Sequence, residues 1–470
     1  MYNAGIGFYP LRGNHEAAEN PDYLTSGTEF RYAFPQIGTG TNNAIPAWIT
    51  AGLIPVADLS KNPPAGKSGA PFIVGNDFSE PTTVNRINNS VSYSFDHHNV
   101  RFILLDQFDA AGRHYHSTIS QQQSWINSRL TDAHRPPHAI VFTHKDLLGG
   151  NHKDNLFGGP ADANDPGDAF NPANNSKQVG MDAFITALAD NGVRYCTSGH
   201  DHQHYQALVK APLTAGKSVQ QLIGQSASSK FYKPVAPFST NDVPIAQELD
   251  RIGYYIFQVN AATVTVDYYA SDINFPQSPP FATTPALNFV KRASFGYSLN
   301  GREFLVAPRH SYTVVQDNVP AGNGFVGTRA QILAGTNTGV RTTNTGRPLT
   351  KAVNTGWVPA EPGLGSDVFH LWGLSEIGTN ATDVFTLALT FKTNNVTVVE
   401  LASGLCGLAS PAASGSNWIR AVNANIGGKA TFVFGPWQSS YGLGTYGVDT
   451  NTQTAWAVVN HAGEFAVKTK

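Results

Sequence analysis

Helical periodicity runs through the first part of the chain and stops at a proline-rich stretch, Phe275-Pro-Gln-Ser-Pro-Pro-Phe-Ala-Thr-Thr-Pro285. Proline lacks a backbone donor and restricts the residue before it, so this stretch reads as a linker, drawn here as 275–290. Before it, strand and helix signals alternate. Val100–Asp106, Ala139–Thr143 and Val193–Thr197 are short apolar runs of the kind that form buried strands. Ser120-Gln-Gln-Gln123 reads as a capping box opening a helix, with Trp125, Ile126, Arg129 and Leu130 at helical spacing. Phe184, Ile185 and Leu188 share a second helix face, and Asn191-Gly192 is its stop. This alternation predicts an α/β layered domain over 1–274, with further strands at Gly253–Val259 and Thr263–Tyr269.

After the linker the period changes to two. Phe385, Leu387, Leu389 and Phe391 alternate with Thr386, Ala388 and Thr390, the pattern of a half-buried strand. Thr431–Phe434 and Ala455–Val459 read alike, and Asn300-Gly301 between Phe295–Leu299 and Arg302–Val306 predicts a hairpin. Residues 291–470 are therefore expected to be an all-β sandwich domain. Composition agrees with a turn-rich globular protein: 45 Gly and 29 Pro among 470 residues, with 11% aromatics. Lys+Arg is 31 and Asp+Glu is 33, so bulk charge points to neither nucleic acid nor an anionic membrane. Two cysteines, Cys196 and Cys406, exclude a disulfide framework and a cysteine zinc finger. No run approaches the roughly 20 apolar residues of a membrane span.

Three clusters carry chemistry. Gly13-Asn14-His15-Glu16 follows the apolar run Ile6–Leu11, His144 follows the strand ending at Thr143, and Gly199-His200-Asp201-His202 follows the strand ending near Thr197. Open α/β sheets bind ligands at the carboxyl ends of their strands, where all three clusters fall. Imidazole nitrogens and amide oxygens are neutral donors to divalent metals.

In this order and context the clusters resemble the calcineurin-like metallophosphoesterase superfamily, which includes purple acid phosphatases and many phosphodiesterases. The resemblance covers roughly 1–270 and extends to Tyr93–Asp96 before Val100–Asp106 and to Gln123-Ser-Trp125 opening the helix. It implies a metallophosphoesterase β-sandwich flanked by helices, and a phosphoric-ester hydrolase acting on phosphomonoesters or phosphodiesters. It implies a dinuclear centre of Mn, Fe or Zn, whose shared hydroxide attacks phosphorus. By that resemblance Asn14, His144 and His200 ligate the second metal and His202 the first. His15 contacts the phosphate and acts as general acid toward the leaving oxygen. Glu16 and Asp201 receive no role.

Two elements of the family pattern, Asp-x-His and Gly-Asp-x-x-Asp, are absent; the family places both before Gly-Asn-His-Glu, and only twelve residues precede Gly13. The expectation is an N-terminally truncated chain, and the rival is a non-catalytic binding or surface protein on a degenerate phosphoesterase scaffold. Asp96-His97-His98 reads as a hairpin turn and Gly167-Asp168-Ala-Phe-Asn171 as a loop, not as substitutes. His152 and Asp154 lie on a loop able to lean over the site. His97, His114, His116, His134, His138, His204, His310, His370 and His461 are read as structural. Low charge with abundant Asn, Thr and Gly suggests an extracellular or periplasmic protein whose second domain contacts a surface or carbohydrate. Sequons such as Asn380-Ala-Thr382 recur too often by chance to settle this.

Overall fold

The computed structural model describes residues 8–18, 30, 76–79, 81, 91–108, 117–148, 151–152, 154–159, 176–227, 230–234, 239–275, 287–339, 342–343, 346–375, 377, 382–393, 396–412 and 417–468. Gly167–Asn171, His114, His116 and Asn380 lie outside them. The fold is β-rich, and the chain divides into two compact units. The first holds residues 1–243, 249–252 and 274–283; the second holds the rest.

The first unit opens with the short helix α1 (Asn14–Ala18). Its strands are β1 (Asn76–Ser79), β2 (Tyr93–His97), β3 (Val100–Leu105), β4 (His138–Thr143), β5 (Tyr195–Ser198), β6 (His204–Lys210) and β7 (Ser218–Ile223), in the spatial order β1-β2-β3-β4-β5-β7-β6. The run β3-β4-β5-β7 is parallel, while β2 and β6 are antiparallel to their neighbours. Parallel strands must cross over, and the helices α2 (Ile119–Leu130) and α3 (Ser176–Asp190) make the first two crossovers. Asp96-His97-His98 belongs to the β2–β3 hairpin: His97 pairs with Val100 and His98 takes the left-handed turn at φ 50.

Each helix buries one stripe. Ile126 and Leu130 of α2 and Phe184, Ile185 and Leu188 of α3 join Ile103, Leu105, Val141 and Cys196 in one core on one face of the sheet. Residues before α1 pack elsewhere: Tyr9 and Leu11 lie against Tyr93, Phe95 and Leu104. The Tyr93 hydroxyl donates to Pro10 O (2.9 Å), fixing the approach to Gly13. The capping box expected from Ser120 does not form. The helix starts two residues earlier, Thr118 is its N-cap without a side-chain cap bond, and Gln123 donates instead to Asn127 Oδ1 (2.8 Å).

Strand β8 (Asp242–Glu248) crosses the boundary between the units. In the second unit, β9 (Gly253–Asn260), β10 (Thr263–Ser271) and β11 (Phe289–Ser298) form a separate antiparallel sheet. The two strands predicted before the linker thus pair with one after it. Two six-stranded sheets follow. One runs Glu303–Val306, Lys351–Val358, Val368–Trp372, Gly463–Lys468, Gly407–Pro411, Trp418–Arg420 in space. The other runs Gln316–Asn318, Arg329–Gly335, Phe385–Thr390, Thr454–Val459, Thr445–Asp449, Thr431–Phe434. Both feed one hydrophobic core that includes Trp357, Phe369, Leu387 and Val459.

Three expectations for this unit are corrected. Phe385–Thr390 is buried on both faces, because Ala388 joins Trp456, Trp437 and Tyr441 in a second apolar cluster. Helical structure also persists past the linker. Thr397 and Glu400 make a reciprocal capping box that opens α4 (Val398–Ser403). Asn300-Gly301 is not a hairpin: Phe289–Ser298 pairs with β10 and Glu303–Val306 with Lys351–Val358. Its glycine answers a close approach, since a Cβ there would stand 1.7 Å from Thr355 O. Gly301→Ala is therefore expected to destabilise the second unit by roughly 1–3 kcal/mol, measured as a lower urea midpoint at unchanged slope. A variant as stable as wild type would contradict the packing at Thr355.

Candidate metal centre

The carboxyl ends of β3, β4, β5 and β7 lead to Asp106, His144, Gly199–His202 and Gly224–Ser226. Backbone bonds hold these exits together: Gly199 N donates to His144 O (3.0 Å) and Gly224 N to Ser198 O (2.7 Å). The α1 residues reach the same place through a buried ion pair. Arg12 Nη2 lies 2.7 Å from Asp106 Oδ2, both side chains fully buried, and the guanidinium packs over the Phe108 ring. Glu16 accepts from Gly13 N (2.9 Å) and closes the start of α1. Gly13 also lets the loop approach His144: a Cβ on it would meet His144 Cε1 at 3.1 Å.

Asn14 and His144 meet in consequence. His144 Nε2 and Asn14 Oδ1 are 2.8 Å apart. The His200 ring lies 5.1 Å from that of His144, centroid to centroid. His200 is buried, and its Nε2 has no hydrogen-bond partner; Asp154 Oδ1, at 3.7 Å, is too far for one. His202 stands slightly apart. Its Nδ1 donates to Lys230 O (3.0 Å), and its ring is 4.9 Å from Tyr232. His15 follows Asn14 on α1 with its side chain exposed.

The loop after β4 brings residues that the sequence marked only weakly. Asp201 is fully buried and accepts from Asn151 N (2.8 Å), and its Oδ1 is 2.6 Å from His152 Nδ1. The His152 ring then lies 4.0 Å from that of His200. Lys145 forms an ion pair with Asp154. Asp201 thus has a positioning role that the motif alone did not reveal; no short-range pattern joins it to a loop 49 residues upstream. His200 and His202 both adopt left-handed backbone, at φ 65 and 49. Such conformations cost of order 1–3 kcal/mol each and persist where surroundings over-determine them.

Charge favours neutral donors here. Burial first, then the nearby His200, Lys145, His202 and His15, pushes the His144 imidazolium down to about 3. Burial likewise lowers His200 and His202. Burial lowers Lys145 against the pull of Asp154. Asp154 is pushed up by burial, but His200 and Lys145 outweigh this and hold it below the usual carboxylate range. Asp146, fully buried, is pushed well up by burial and by Asp201.

These shifts set a pH dependence. The unfolded chain protonates its histidines near 6.5, while folded His144 resists protonation to about 3. The unfolded state binds more protons in between. The stability linked to neutral His144 is present above 6.5 and is lost as pH falls toward 3. Thermal midpoints of the metal-free protein are expected to drop from pH 7 to pH 5, and to drop less in His144→Gln. An equal drop in both proteins would remove His144 as the cause.

The donors present fit a cation. Tetrahedral ligands at about 2.1 Å from one ion stand about 3.4 Å apart, so Asn14 Oδ1 and His144 Nε2 would give up their 2.8 Å hydrogen bond and part by about half an ångström to hold one. The His200 Nε2 is a buried donor atom without a hydrogen bond, with the Asp154 carboxylate 3.7 Å away.

No family profile matches the chain, and no curated protein matches it. Among solved structures it is similar to PhoD at 15% identity, over 44% of this chain and 42% of that one, with a TM-score of 0.30. It is similar to purple acid phosphatase PPD1 from yellow lupin (Lupinus luteus) seeds at 15% identity, over 38% and 30%, with a TM-score of 0.26. It is similar to GAP50, the anchor in the inner membrane complex of Plasmodium, at 13% identity, over 43% and 56%, with a TM-score of 0.25. The chain spans less than two thirds of each. Among the described residues, no helix is long and apolar enough to cross a membrane.

Proposed function

We propose that the first unit is a metal-dependent phosphoric-ester hydrolase, with Asn14, His144, His200 and His202 as metal ligands. The observation that carries this is the gathering of Asn14, whose Oδ1 accepts from His144 Nε2 (2.8 Å), with His144 and a buried His200 nitrogen that makes no hydrogen bond. Mn, Fe or Zn ions at these donors would supply neutralisation of phosphate oxygens and activation of water. The chain's own residues do the rest. Arg12 and Asp106 hold the loop that presents Asn14. Lowered imidazole basicity keeps the His144, His200 and His202 rings uncharged at neutral pH. In this reading His15, exposed beside Asn14, would hand a proton to the departing oxygen.

The wider reading is a layered phosphoesterase unit joined to a β-sandwich accessory unit that contacts a surface or carbohydrate. The low share of charged residues, 14%, supports an exported setting. The test is metal content by plasma mass spectrometry, with hydrolysis of bis(p-nitrophenyl) phosphate assayed alongside. Bound metal with turnover supports the hydrolase. Neither metal nor turnover supports the non-catalytic scaffold and moves attention to what the second unit binds.

A further inference from the structure

A further group of donors, which shares His200 with the set above, stands in the same crevice. His152, His200 and Asp201 each offer one ligand atom, and these atoms lie within 4.8 Å of one another. They come from two elements, the loop after β4 and the turn after β5. Tetrahedral donors at about 2.1 Å from one ion stand about 3.4 Å apart, so the group closes on a cation by moving inward by up to about an ångström. Two imidazoles and one carboxylate are a donor set that Zn, Mn and Fe accept.

The group is built, not incidental. Asp201 is fully buried and pins the 151–152 loop through Asn151 N (2.8 Å) and the His152 ring (2.6 Å). That pin sets the His152 ring 4.0 Å from the His200 ring and 4.9 Å from Tyr232. The His200 Nε2 is buried without a hydrogen-bond partner. The His152 side chain keeps 29% of its exposure, so an ion can reach it from solvent.

We propose that His152, His200 and Asp201 form a cation seat, with His152 and Asp201 as metal ligands beyond the set that the motifs imply. Asp201 brings to the seat a negative charge that histidine and asparagine do not have. The seat rests on the reading of this crevice as a metal centre, and its test separates the two.

The full chain is stripped with EDTA, dialysed and titrated with Zn2+ by calorimetry. His152→Ala is expected to lose one Zn2+ or to bind it at least about tenfold more weakly. His134→Ala, at a side chain 96% exposed, is the control and should bind as wild type does. Asp201→Asn touches a buried clamp and can unfold the loop, so His152→Ala and His152→Gln decide the matter, each checked by near-UV circular dichroism. If both bind Zn2+ as wild type does, the seat is refuted while the metal centre stands. If wild type binds no Zn2+, the seat and the metal centre fall together.

Discussion

Replacing Arg12 with methionine is expected to destabilise the first unit by about 3–5 kcal/mol. Arg12 and Asp106 are both fully buried, with Nη2 and Oδ2 2.7 Å apart. Methionine keeps length and apolar contact with Phe108, but it leaves a buried carboxylate without its guanidinium. Asp106 retains bonds from Val91 N (2.9 Å) and Phe108 N (3.0 Å), which soften the loss without replacing the charge. Removing both charges together should cost much less, since apolar pairs of similar volume often substitute well for buried ion pairs. Arg12→Met with Asp106→Leu is therefore expected to recover most of the stability in urea unfolding. A single variant within about 0.5 kcal/mol of wild type would show that the pair contributes little. The pair also matters for the site, because Arg12 immediately precedes Gly13, Asn14 and His15.

That pair illustrates what the sequence could and could not show. Short apolar runs located β3, β4 and β5, because strands buried on both faces need uninterrupted hydrophobic residues. His144 and His200 were visible because each follows such a run closely, and the sheet brings strand ends together; residues 8–13 before Asn14 form no strand, and Asn14 reaches the site through α1 and the Arg12–Asp106 pair instead. Arg12 and Asp106 carried no local signal. A buried ion pair is a long-range fact, and an arginine beside a glycine-rich turn looks solvent-exposed on paper. His152 was visible only as a loop residue; its place depends on Asp201, whose carboxylate reaches back to the loop backbone. Asn300-Gly301 misled for a different reason. Glycine there serves the approach of Thr355 O, and a turn rule cannot separate that need from positive φ. The face of Phe385–Thr390 was misjudged because threonine and alanine read as solvent-facing until Trp456, Trp437 and Tyr441 cover Ala388.

His144→Ala is expected to lower hydrolysis of bis(p-nitrophenyl) phosphate by more than about 100-fold and to reduce bound metal. Loss of residues that only orient ligands costs roughly 10- to 100-fold, so loss of a ligand should exceed that range. The position is central. His144 Nε2 stands 2.8 Å from Asn14 Oδ1, and its ring faces His200 at 5.1 Å. Alanine removes one donor and leaves Asn14 without its neighbour. The fold should survive, since His144 lies beyond the end of β4 and its side chain is not part of the strand's core. Near-UV circular dichroism is thus expected to match wild type. His144→Asn keeps a neutral oxygen donor at a shorter reach, so it should retain more metal than alanine does. This ordering separates ligation from packing. A merely structural histidine would lose stability in both variants and show no ranking in metal content. Equal metal content in wild type and His144→Ala would remove His144 from the centre and, with it, the geometry on which the hydrolase reading rests.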